Sequence, residues 1–139
     1  MKELTETIPF DIRFSEVDSM NVVWHGSYPL YFGDAREAFG KKYDLGYMKM
    51  FRNGYFAPLV ELNLQYKRPL VYGMQPAITI KYRPTDAAKI IFDYEIHDTA
   101  DNSLIATGHS VQVFTDTKYQ LVWFTPPFYE EWKKQWLEE

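Results

Sequence analysis

Hydrophobic and polar residues follow two different periods along this 139-residue chain. Phe10, Ile12 and Phe14 alternate with Asp11 and Arg13, which predicts a half-buried strand over 10–14. An irregular stretch runs from Ser15 to Ser27, and then the period lengthens. Tyr28, Tyr31, Phe32, Ala35 and Phe39 form an apolar stripe at helical spacing, while Asp34, Arg36, Glu37 and Lys41 populate other directions. Ser27 can accept from the first unpaired N–H groups of a helix, and Pro29 suits its first turn, so the helix should start near Ser27 and Tyr28. A shorter helix is predicted over Tyr47–Arg52, stopped by Asn53-Gly54.

Period two then returns. Leu62, Leu64 and Tyr66 alternate with polar neighbours, as do Ile78, Ile80 and Tyr82, and then Ile90, Phe92, Tyr94 and Ile96. Pro84–Ala88 and Asp98–Asn102 read as the loops between these strands. Leu104–Phe114 reads as a longer, more buried strand and Tyr119–Phe124 as a final one. Thr125-Pro126-Pro127 breaks the chain, after which Phe128, Trp132 and Trp136 step by four as in a short amphipathic helix. One long helix followed by antiparallel strands is an α+β plan, with the helix burying its aromatic stripe on one face of a curved sheet. So short a sheet has edges that need cover, and pairing with a second copy is the expected remedy.

The length fits a single domain over 1–139. Aromatic residues make up 18%, which calls for a core or cleft with large flat walls. The absence of cysteine excludes disulfides, a thiolate nucleophile and a sulfur-bound zinc, and fits a reducing compartment. The net charge of -4 without a basic stretch argues against nucleic acid as a partner. Met1–Pro9 lacks the apolar core of a signal peptide, and no apolar run is long enough to span a membrane, so a cytoplasmic protein is expected. His97 and His109 lie within strands and read as polar strand residues; no H-x-x-x-H spacing occurs, and no metal is expected. Without a G-x-S-x-G turn, a serine hydrolase is disfavoured.

The segment from Phe14 to Tyr28 carries the candidate chemistry. Asp18 sits in a loop after a strand, and Asn21 and Gly26 lead into a helix N-terminus. A carboxylate is thereby placed near unpaired N–H groups in a partly positive field. A carbonyl lying there would be polarised, and the carboxylate could attack it or activate a water. The same residue type before a helix also serves as an ordinary turn or cap.

The pattern Asp18-x-x-Asn21-Val22-Val23-Trp24-His25-x-x-Tyr28, with Tyr31-Phe32-x-x-Ala35-Arg36 behind it, closely resembles the signature of the 4-hydroxybenzoyl-CoA thioesterase family. The resemblance extends over nearly the whole chain. It implies a hot-dog fold, in which a curved antiparallel sheet wraps one long helix. It implies a homodimer or homotetramer with active sites at the dimer interface, an acyl-CoA substrate, and no cofactor beyond the coenzyme A of that substrate. The family's catalytic Asp matches Asp18, as nucleophile or general base. The residue whose backbone N–H polarises the thioester matches His25, and Asn21, Trp24 and Tyr28 fall at the substrate-binding positions around it. Two positions depart from the family. Asn21 replaces a glycine, and Asn is the best substitute for a left-handed residue. Gly33 stands where many members carry a helix carboxylate, so no second carboxylate role is transferred.

The phosphates of coenzyme A call for a cationic rim, for which Lys67, Arg68, Arg83 and Lys89 are the candidates. Tyr47, Met48, Met50, Phe51, Tyr55 and Phe56 suit an adaptable acyl pocket and suit core packing equally. Glu61 reads as a solvated edge residue. The leading reading is hydrolysis of a small or medium acyl- or aryl-CoA. An acyl-carrier-protein thioesterase, a non-catalytic acyl-CoA binder and a hot-dog dehydratase are the alternatives.

Overall fold

The computed structural model describes residues 2–138. In chain order its elements are β1 (Thr5–Pro9), α1 (Tyr28–Tyr43), α2 (Tyr47–Arg52), β2 (Tyr55–Phe56), β3 (Leu59–Tyr66), β4 (Pro76–Arg83), β5 (Lys89–Asp98), β6 (Ser103–Val113), β7 (Thr115–Asp116) and α3 (Pro127–Leu137). Five strands pair antiparallel in the order β1–β4–β5–β6–β3, and β2 pairs with β7 in a separate ribbon. Period two decides which residues face the helix. Ile78, Ile80 and Tyr82 of β4 and Ile90, Phe92, Tyr94 and Ile96 of β5 are buried, while the residues between them face outward.

The helical stripe meets this face as its spacing predicts: Tyr28, Tyr31, Phe32, Ala35 and Phe39 are all buried. The closest approach is at Phe32. Its ring stacks on Tyr94, 4.4 Å between centroids, and also lies against the backbone of Gly108 on β6. A Cβ on Gly108 would overlap the Phe32 ring. Glycine is needed here so that helix and sheet can approach, whatever its own torsions. At the far end, α3 closes the core with Trp132, whose indole N–H donates to the Tyr43 carbonyl at 2.6 Å. The Tyr129 hydroxyl beside it donates to the Lys89 carbonyl at 2.9 Å and also hydrogen-bonds the hydroxyl of Tyr82.

Three expectations are corrected. The first strand is Thr5–Pro9, not 10–14. Its ladder partner β4 begins at Pro76, so beyond the Phe10 N–H, which donates to the Pro76 carbonyl at 3.1 Å, the ladder has no partner. Phe10 and Ile12 still pack inward, but Phe14 lies in a short 3-10 turn, 77% exposed, edge-on to Tyr72. Tyr119–Phe124 is not a strand. The Asp116 carboxylate accepts from the Lys118 and Gln120 N–H groups at 2.8 and 3.0 Å, and Tyr119 is left-handed at φ 67°. The backbone thus turns tightly instead of extending. Ser27 does not accept from the helix; its hydroxyl donates to the Glu16 carbonyl at 3.2 Å.

Gly108→Ala should lower stability by about 1–3 kcal/mol, the usual cost of overpacking a close contact. Urea denaturation of both proteins measures it. An unchanged midpoint would show that Phe32 has room to move.

Candidate active site

Asp18 lies in a loop that folds back on itself. Val17 and Val23 form an antiparallel bridge, the Asp18 N–H donates to the Val22 carbonyl at 2.8 Å, and the Asn21 N–H donates to the Asp18 carbonyl at 3.0 Å. The segment after β3 holds it from outside: the Val23 N–H donates to the Leu70 carbonyl and the Tyr72 N–H to the Asn21 carbonyl, at 2.8 and 3.1 Å. Asn21 is left-handed at φ 66°, the conformation that suits a glycine or an asparagine. The Asp18 side chain completes the turn. Its Oδ1 accepts from the Met20 N–H at 2.8 Å and the Val22 N–H at 3.3 Å. Among the described residues no hydrogen bond reaches Oδ2. One oxygen is therefore anchored and the other is left for chemistry.

The chain then enters α1 through a 3-10 turn, His25–Ser27. The Glu16 carbonyl ties this entry down, accepting from the Trp24 N–H at 2.8 Å and from the Ser27 hydroxyl. The Trp24 indole lies against Gly26, where any Cβ would overlap it, and its ring is 4.9 Å from the His25 ring. The His25 carbonyl accepts from the Tyr66 hydroxyl at 2.9 Å. Its N–H stands at the start of the turn, where no preceding carbonyl is in place to receive it. The sixteen residues of α1 behind it add their dipole field. Tyr28 packs edge-on to Tyr66, 4.8 Å between centroids, and burial pushes its hydroxyl up to about 12. Burial, and then the Glu16 carboxylate that accepts its O–H at 2.9 Å, raise Tyr31 further. Both tyrosines stay neutral struts at the helix start. Their ties to Glu16 and Tyr66 were not legible in the sequence, because they join residues 15 and 38 positions apart.

The four candidate cations do not gather within one protomer. Lys67 and Arg68 follow the end of β3, where both N–H groups donate to the Ile105 carbonyl. Arg83 and Lys89 lie at the opposite end, with Lys89 across from Val113. From Ala106 to Val113 the strand covers roughly 24 Å at the usual rise. Arg83 also faces Asp93 at 3.4 Å, and Asp93 Oδ1 accepts from His109 Nδ1 at 2.6 Å, while the other ring nitrogen is 3.5 Å from Glu61. Glu61 and His109, read from sequence as isolated polar residues, are thus joined on the outer face of the sheet. Among the described residues no group of three or more His, Asp or Glu side chains is arranged to hold a metal ion.

A cavity of about 510 Å³ opens between α1, α2 and the sheet. Tyr47, Met48, Met50 and Phe56 of the expected acyl pocket line it, with Ile90 and Phe92 behind. Asp18 and His25 do not line it.

A long helix packed across an antiparallel sheet of this strand order, with an acidic loop at the helix entry, is a hot-dog fold. The chain belongs to the thioesterase-like superfamily, whose model matches residues 12–136. By that membership it is a thioester hydrolase. It is 29% identical over 104 residues, 74% of this chain and 75% of the other, to the "Putative acyl-CoA thioesterase YneP" of Bacillus subtilis (strain 168). Its fold matches a DHNA-CoA thioesterase from Staphylococcus aureus with a TM-score of 0.82 at 22% identity, covering 94% of this chain and 90% of that one. It also matches a 1,4-dihydroxy-2-naphthoyl-CoA thioesterase from Synechocystis with a TM-score of 0.81 at 16% identity, covering 96% of each. No helix among the described residues is long and apolar enough to cross a membrane.

Asn21→Gly should keep stability within about 0.5 kcal/mol, whereas Asn21→Val should lose about 1–2 kcal/mol, the cost of a left-handed β-branched residue. Equal thermal midpoints for the two variants would remove the conformational role given to this position.

Proposed function

We propose that the protein hydrolyses acyl-CoA thioesters, with Asp18 as nucleophile or general base and the His25 N–H as the donor to the thioester oxygen. The observation that carries this is the Asp18 carboxylate, held through Oδ1 by two backbone N–H groups while Oδ2 is free. As nucleophile, Oδ2 attacks the thioester carbon, the C–S bond breaks, coenzyme A leaves as thiolate, and water then hydrolyses the mixed anhydride. As base, Oδ2 takes a proton from water, whose oxygen attacks the same carbon; the C–S bond then breaks, and coenzyme A leaves as thiolate with the free acid as the other product. In both routes the negative charge grows on the carbonyl oxygen, where the helix start is already positive. Coenzyme A enters as part of the substrate, and no cofactor is needed.

The working unit in this reading is a dimer joined through β3, one of the two edge strands of the five-stranded sheet. Leu59 and Val60 on that edge are 38% and 59% exposed. Antiparallel pairing of β3 with its copy sets the Tyr66 end of one strand beside the Leu59 end of the other. Because Tyr66 holds the His25 carbonyl, one protomer's active loop is carried toward the Phe56–Ala57 end of its partner's cavity. The same pairing moves Lys67 and Arg68 of one protomer toward the end of the sheet that bears Arg83 and Lys89 of the other. One rim for the coenzyme A phosphates can form there.

Sedimentation should give a mass of twice 16.5 kDa or a multiple of that; a stable monomer at micromolar concentration contradicts the shared site. Thiol release from a panel of acyl- and aryl-CoAs tests the chemistry. Asp18→Asn should lose at least ~10²-fold in kcat, the lower range for an acid–base group. A folded Asp18→Asn protein with near-full activity removes Asp18 from the mechanism.

A further inference from the structure

The cavity beside α1 contains more positive charge than it can pair internally. Four cations line it, Arg36, Lys41, Lys49 and Arg52, against two carboxylates, Glu37 and Asp44. Each carboxylate already has a lysine: Lys41 is 3.6 Å from Glu37 and Lys49 is 2.6 Å from Asp44. Arg36 and Arg52 are left without a carboxylate partner among the described residues.

Arg36 is the inner of the two, and its orientation is fixed. Its Nη1 donates to the Tyr94 hydroxyl at 2.9 Å, and Tyr94, itself buried, hydrogen-bonds Ser110, which is also buried. That chain leaves Nη2 turned outward. Beyond the backbone of its own helix, Nη2 is the one atom within 4 Å of where a Cβ on Gly33 would stand, at 3.7 Å, among the described residues. The space in front of the guanidinium is therefore empty because position 33 has no side chain. The charged side chains stand around its rim, and the inner wall is apolar: Leu45, Met50, Ile90 and Phe92 are buried there.

A ligand that fits such walls is apolar along its length and anionic at one end. We infer that this cavity receives the acyl part of the substrate and that Arg36, in the space left by Gly33, binds a carboxylate on it, so the preferred substrates are acyl-CoAs with an acidic group at the far end of the acyl chain. This rests on the thioesterase reading above. The planar fork of Arg36 has one donor held by Tyr94 and others free, which suits a carboxylate better than a neutral methyl end. Arg52 at the rim adds attraction without a fixed geometry. A neutral chain of the same length would leave Arg36 facing an apolar group, with its free donors unpaired.

Adipoyl-CoA and hexanoyl-CoA, matched in chain length and differing in the terminal carboxylate, are the probes. The wild type should favour adipoyl-CoA by roughly tenfold or more in kcat/KM, the scale of a charged hydrogen bond. Arg36→Met should abolish that ratio, and Arg36→Lys should restore part of it. Gly33→Glu places a carboxylate in the empty space from within the helix, at a position with room for it, and should also abolish the preference. It covers the case in which loss of Arg36 unsettles the Tyr94–Ser110 pair and the Met variant fails to fold. A wild type without preference for the acid, or a preference that survives both Arg36→Met and Gly33→Glu, overturns the inference while leaving thioester hydrolysis intact. Binding of free adipate against hexanoate, mapped by NMR onto α1 and α2, separates the two readings. Without turnover of any acyl-CoA the thioesterase reading fails, and adipate shifts centred on Arg36 would still support the anion site. Without those shifts the site falls as well.

Discussion

The contact of Phe32 with Gly108 sets the distance between helix and sheet, and most of the structure depends on that distance. A flat aromatic ring rests on β6 backbone because no Cβ intervenes, and it stacks on Tyr94 from the neighbouring strand. With α1 held this close, its stripe from Tyr28 to Phe39 joins the inner residues of β4 and β5 in one hydrophobic core. The same contact fixes where the helix begins. The entry of α1 carries His25, and the loop before it carries Asp18, so an interaction in the core decides the geometry of a surface site.

The active loop is built from backbone more than from side chains. Asp18, Asn21, Val22, Val23, Leu70 and Tyr72 exchange main-chain hydrogen bonds that leave little freedom between the carboxylate and the helix start. Preorganisation of this kind is what a polarising site requires, since donors that must reorganise during the reaction lose much of their effect. The side chains contribute at three points: Asn21 accepts a left-handed conformation, Tyr66 anchors the His25 carbonyl, and Glu16 anchors Tyr31. Asp18 therefore fills the turn role that its residue type predicts, and the same bonds fix its orientation.

The two ends of α1 have separate tasks. Its N-terminus offers unpaired N–H groups to a carbonyl, while the face bearing Gly33 and Arg36 borders the cavity. Within one protomer these lie about 12–18 Å apart along the helix by its rise per residue. The dimer proposed through β3 would reconcile them, because it would reverse the partner's helix and bring its entry toward the cavity.

Much of this was legible in the residues. Period two located β3 to β6 and period 3.6 located α1, α2 and α3, since the burial that those periods encode is local to each element. The motif around Asp18 placed the candidate chemistry and the left-handed turn at Asn21. Alternation does not make strands of 10–14 and 119–124, because it says which face a residue prefers, while a strand also needs a neighbour to bond; β4 begins only at Pro76, and Asp116 captures the later segment in a turn. The rim formed by Lys67, Arg68, Arg83 and Lys89 looked like one group in sequence and is two groups in space. The Glu61–His109–Asp93 chain, the tie from Tyr66 to His25 and the placement of the Arg36 guanidinium at the cavity were invisible for one reason. Each depends on the register between strands or on the crossing of helix and sheet, and only the packed tertiary structure decides those.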